Sequence, residues 1–148
     1  MSAASGIIEE GTHRFPVRVY YEDTDSGGIV YYANYLKFAE RARTEMLRLA
    51  GINQTEMASR YGMSFAVRDC AIDFRRPARL DDLLEVHSHL VRLAAASLTA
   101  VQAIWRDSEE LARLDIRVAC LGRDGRPARI PTPFRQALEP YVQPRERS

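Results

Sequence analysis

The chain has 148 residues, 46% hydrophobic and 28% charged, with 21 basic against 20 acidic side chains. This length suits one domain with a sizeable core, and the near balance of charge, without a long same-sign run, argues against a basic nucleic-acid-binding face. Residues 1–12 hold no charged segment followed by an apolar run, and no stretch approaches the roughly 18 apolar residues of a membrane span. Neither a secretory signal nor membrane insertion is expected, and the expected location is the cytoplasm.

In chain order, residues 1–12 are small and polar and are read as a flexible lead-in, with His13 at its end. Residues 14–21 alternate, with Phe15, Val17 and Val19 on one face of a first strand. Over 33–50 the period turns helical: Tyr35, Phe38, Ala39, Ala42, Met46 and Leu49 share a stripe, and Gly51 follows as a left-handed cap. Asn53 and Glu56 predict a capped short helix ending near Gly62. Strands are expected over 64–75, 83–92, 97–106 and 111–121, and Thr132 and Pro133 are read as the N-cap and first position of a short closing helix. Residues 13–141 are read as a single domain and 142–148 as a polar tail. One long helix followed by consecutive strands predicts an α+β layering of a single antiparallel sheet on that helix. The uncovered sheet face and edge predict association with a second copy.

Cys70 and Cys120 lie in apolar alternating runs and are read as buried reduced thiols. His87 and His89 share a strand face and are read as solvent-facing; no cysteine pair has metal-ligand spacing, and no histidine adjoins a Ser or Cys nucleophile. No metal site is expected.

Chemistry concentrates between the first strand and the long helix, where Glu22, Asp23 and Asp25 precede Gly27-Gly28 and an aromatic run. As a calcium loop it fails, because counting from Asp23 puts Asn34 where a bidentate glutamate is needed. Two readings stand side by side. The carboxylates can simply accept backbone hydrogen bonds in a turn. Alternatively, Asp25 acts as a base or nucleophile beside a helix N-terminus, whose N–H groups attract developing negative charge.

Residues Val17 through Tyr31, then Ala33-Asn34-Tyr35 and Glu40-Arg41-Ala42-Arg43-Thr44-Glu45, closely resemble the Tol-Pal-associated acyl-CoA thioesterases. These are grouped with the 4-hydroxybenzoyl-CoA thioesterase-like hotdog enzymes. The resemblance continues through Pro77-Ala78-Arg79-Leu80-Asp81-Asp82 and covers most of residues 14–140. It departs at Tyr32, usually histidine in the Tol-Pal branch and tyrosine in the 4-hydroxybenzoyl branch.

The resemblance implies a hotdog fold, a curved antiparallel sheet of about five strands wrapped around one long central helix. It also implies homodimers, often paired into tetramers, with active sites at the subunit interface. Asp25 takes the catalytic position, and Gly27, Gly28, Tyr32 and Asn34 the substrate-binding ones. The Tyr32 backbone N–H polarises the thioester carbonyl, with a second amide expected from the Gly27-Gly28 loop. Arg75, Arg76, Arg79 and Arg92, with Ser97, are candidate CoA contacts by position and charge. The implied reaction is hydrolysis of an acyl-CoA, without cofactor, with acyl carrier protein as a further partner. A hotdog hydratase and a non-catalytic acyl-CoA-binding or assembly protein are the alternatives.

Overall fold

The computed structural model describes residues 3–143; residues 144–148, within the expected polar tail, lie outside the described residues. The strands are β1 (Ile7–Glu9), β2 (Thr12–Arg18), β3 (Ser64–Phe74), β4 (Leu83–Leu93), β5 (Ser97–Arg106) and β6 (Glu109–Leu121). The helices are α1 (Asn34–Leu49), α2 (Gln54–Glu56), which runs on into a wider turn over Met57–Tyr61, and the short C-terminal α3 (Thr132–Leu138). All strands pair antiparallel in one sheet, in the order β1-β2-β4-β5-β6-β3. The expected number of about five strands is corrected to six. The added one, β1, falls within the stretch read as a lead-in and pairs Ile7 with Arg14 through Glu9 with Thr12.

Local chemistry explains the α1 boundaries. Its first turn has no side-chain cap. At its end the Ala50 N–H returns to the Met46 carbonyl, Gly51 adopts φ +87°, and the Ile52 N–H bonds the Leu47 carbonyl. A side chain with a Cβ would strain at that φ, so glycine terminates the helix there. Asn53 caps α2 by accepting from the Thr55 and Glu56 N–H groups at 2.8 and 3.1 Å.

The core lies between α1 and one face of the sheet. Tyr35, Phe38, Ala39, Ala42 and Met46 of α1 are buried with Leu84, Val86 and Leu90 of β4, Leu98, Ala100 and Ile104 of β5, and Leu114, Ile116 and Val118 of β6. One buried polar bridge crosses this layer. The Gln102 side-chain amide donates to the Ala39 carbonyl and to Ser88 Oγ, both at 2.9 Å, and its oxygen accepts from Arg43 at 2.9 Å. A buried amide with all these partners satisfied costs the core little and ties helix to sheet.

Three sequence expectations are corrected. His13 is fully buried in β2, its Nε2 2.7 Å from the Ser5 carbonyl oxygen, instead of lying in a loose lead-in. Cys70 is exposed, because β3 is an edge strand with little packed over it; Cys120 is buried as expected. The N-cap of α3 is Pro131, one residue before the expected Thr132. His87 is half-buried on β4, bonded to Glu85 at 2.6 Å and stacked on Trp105.

Candidate active site

The acidic segment is built as two turns closed by its own backbone. Asp23 ends a single helical turn, and its Oδ2 accepts the Tyr20 N–H at 2.8 Å. Thr24 then bridges to Val30, so residues 25–29 form a small loop closed by the Asp25 N–H on the Ile29 carbonyl at 2.9 Å. Inside it, Gly28 has φ +78°, a conformation glycine adopts without strain.

Asp25 is exposed, and its Oδ1 accepts the Gly27 N–H at 2.8 Å. That bond fixes the carboxylate's rotamer, and Asp25 Oδ2 has no hydrogen-bond partner among the described residues. The turn reading is therefore correct for Asp23, whose carboxylate is buried and capped. For Asp25 it accounts for one oxygen only.

At the start of α1, the Tyr31 N–H goes to the Asp23 carbonyl at 3.0 Å and the Asn34 N–H to the Tyr31 carbonyl at 2.8 Å. Between them, the N–H groups of Tyr32 and Ala33 donate to no acceptor among the described residues. Unpaired amides at a helix N-terminus are a ready anion site. The expected second amide from Gly27-Gly28 is corrected: the Gly27 N–H is engaged by the Asp25 carboxylate and the Gly28 N–H by the Asp25 carbonyl at 3.1 Å. Ala33 was not singled out in the sequence, since an alanine at a helix start carries no side-chain signal. Asn34 is buried, and its side-chain amide donates to the Asp23 carbonyl at 2.8 Å.

Beside these amides lies an apolar cleft of about 260 Å³, lined by Ile29, Val30, Tyr32, Tyr35, Phe74 and residues 75–77. The Tyr35 hydroxyl accepts the Ala78 N–H at 2.9 Å, and the Ala78 carbonyl accepts the Val30 N–H at 2.8 Å, so the 77–79 segment is pinned to both helix and loop. Burial pushes the Tyr35 phenol up from its ordinary pKa, keeping it protonated. Asp25 is not among the residues lining this cleft.

The candidate CoA contacts divide. Arg75 and Arg76 stand at the cleft, paired with Asp73 and Glu110 at 2.9 Å and with Glu109 at 3.1 Å respectively. Arg79 bridges Ile29 through its backbone. Arg92 and Ser97 lie at the other end of the sheet, where β4 passes into β5. One chain does not bring these two to the cleft.

Residues 19–138 match the thioesterase-like superfamily. The chain belongs to this family. It is 44% identical to the acyl-CoA thioesterase YbgC of Haemophilus influenzae over 107 residues, spanning 72% of this chain and 79% of that relative. A probable thioesterase from Bartonella henselae superposes with a TM-score of 0.78 at 39% identity, covering 81% of this chain and 99% of that one. A 4-hydroxybenzoyl-CoA thioesterase variant solved with 4-hydroxybenzoyl-CoA shares the fold at a TM-score of 0.82 and 18% identity, over 86% and 99% of the two chains. Within the thioesterase-like superfamily the acidic loop and the N-terminus of α1 both fall inside the matched region. Among the described residues no helix is long and apolar enough to cross a membrane.

Proposed function

We propose that this chain is an acyl-CoA thioesterase, hydrolysing an acyl-CoA to the free acid and CoA, with Asp25 as the catalytic carboxylate. Its membership of the thioesterase-like superfamily and its similarity to YbgC support the reaction class. Two observations carry the site: a rotamer-fixed carboxylate at Asp25, and the unpartnered amides of Tyr32 and Ala33 at the start of α1.

In the mechanism, Asp25 either attacks the thioester carbon, giving a mixed anhydride that water then cleaves, or takes a proton from the attacking water. In both routes the C–S bond breaks, CoA leaves as thiolate and is protonated, and the carbonyl oxygen carries the developing charge. The Tyr32 N–H, joined by the Ala33 N–H, donates to that oxygen; one such donor is typically worth about 10²–10³ in rate. Arg75 and Arg76 serve the CoA phosphates only by exchanging carboxylate partners for phosphate, Arg79 offers an exposed guanidinium, and Arg92 and Ser97 reach the same CoA only from a second copy.

A second copy is part of the proposal. β3 is an 11-residue strand at the sheet edge, and Val67 and Phe74 on it are 52% and 49% exposed. Paired edge to edge, two chains form a homodimer that closes the cleft, and two dimers can associate as a tetramer.

Histidine-dependent hydratase chemistry is disfavoured: His13 is buried in β2, and His87 and His89 lie on β4. The test is thiol release from short, long and aromatic acyl-CoAs and from acyl carrier protein thioesters. Asp25→Asn lowers kcat at least about 100-fold. Full activity in that variant overturns the mechanism, and tight acyl-CoA binding without thiol release supports the non-catalytic alternative.

A further inference from the structure

Asn34 falls in the sequence among the substrate-binding candidates, yet its side chain faces inward. It is 9% exposed, and its amide nitrogen lies 2.8 Å from the Asp23 carbonyl oxygen. A carbonyl can only accept, so the amide must donate there. The same Asp23 oxygen accepts the Tyr31 N–H at 3.0 Å. One carbonyl thus holds residues 31 and 34, the two that flank the unpartnered amides of Tyr32 and Ala33. Asp23 is also the residue whose carboxylate turns the chain at Tyr20, two positions before Asp25.

We propose that Asn34 is a positioning residue: through the Asp23 carbonyl it locks the Asp25 loop to the first turn of α1, setting the catalytic carboxylate against the oxyanion amides. This rests on the thioesterase reading. Each of the two parts is stiff by itself, since the 25–29 loop closes on its own hydrogen bonds and α1 packs on the sheet. Indirectly the 77–79 segment ties them through Tyr35 and Val30, and the direct joint is the two bonds to Asp23 O. Asn34 supplies the one made by a side chain, and so the one a substitution removes without touching the backbone. Loss of that bond leaves both halves intact and lets them drift relative to one another. Misplacement of reacting groups by about 1 Å costs as much as about 100-fold in rate. Substrate affinity, which draws on the cleft and the cationic groups, is unaffected.

The test is Asn34→Ala, a substitution the start of a helix tolerates. Expected is a kcat lower by about 10–100-fold with KM within about threefold. Amide hydrogen exchange quickens at Tyr31, whose N–H shares the Asp23 carbonyl, and is unchanged at Asp25 and Gly28, whose bonds lie inside the loop, and over Phe38–Met46. In an Asp25→Asn background the same substitution has little further effect on kcat, because the geometry it disturbs no longer serves a base. A rise in KM at constant kcat makes Asn34 a binding residue and overturns the proposal. So does parental kcat, or unchanged exchange at Tyr31. Wild-type protein that releases no thiol from any thioester overturns the thioesterase reading instead, while Tyr31 exchange, measured without substrate, still decides the clamp by itself.

Discussion

His13 carries a titratable ring into a fully buried site, and its neighbours define a pH dependence. Its Nε2 meets the Ser5 carbonyl, while Nδ1 and the nearby Glu45 Oε2 are buried without a hydrogen-bond partner among the described residues. Burial lowers the His13 pKa from 6.5, opposed in part by the Ser5 carbonyl and the Glu45 charge. The folded state therefore binds this proton at lower pH than the unfolded state does. As pH falls through the unfolded value near 6.5, the unfolded chain gains the proton first and stability drops. The urea midpoint is expected to fall between pH 7 and 5, and His13→Leu flattens that slope whatever it does to stability at pH 7; an unchanged slope refutes the assignment. Asp82 acts in a separate window. Burial alone would raise its pKa, but hydrogen bonds from Arg106 and the Arg79 N–H hold it below 3.8, so its contribution is lost only in stronger acid.

At the scale of elements, α1 shows what a stripe of five inward residues supports. Phe38 is fully buried and in edge contact with Tyr35. Phe38→Ala is expected to cost about 3–5 kcal/mol, read as a lower urea midpoint at unchanged m-value. This helix was legible because its residues repeat every three to four positions. β4 was legible because Leu84, Val86, Ser88 and Leu90 alternate inward. β1 was not, since three exposed residues carry no period and their pairing depends on the turn at Glu10 and Gly11, both with positive φ. The exposure of Cys70 was hidden for a different reason: alternation reports which face a residue takes, never whether its strand has a neighbour. In the site, Asp25 stood out by residue type and Tyr32 only through the family resemblance, whereas the engaged amides of Gly27 and Gly28 and the unpartnered one of Ala33 belong to the backbone. Side-chain identity does not encode them.

For the whole molecule, the decisive feature is the sheet order that leaves β3 at one margin, its outer hydrogen-bonding row without a partner strand among the described residues. With edge-to-edge dimerisation, Val67→Arg places a charge on that margin and shifts sedimentation equilibrium toward monomer, with thiol release falling in parallel. A dimer of wild-type strength in this variant would refute the proposed edge. The same order has a consequence in time. β3 is made early, but the residues of β6 that pair with it lie about forty to sixty positions further along the chain. At roughly 5–20 residues per second of synthesis, the strand stays single on the ribosome for seconds after its own residues are joined. During that interval two nascent chains on one message can meet through the very segment that neither has yet folded into its own sheet. Asp69, Arg68 and Asp73 along β3 then matter as gatekeepers, charges that keep a premature encounter between neighbouring chains reversible.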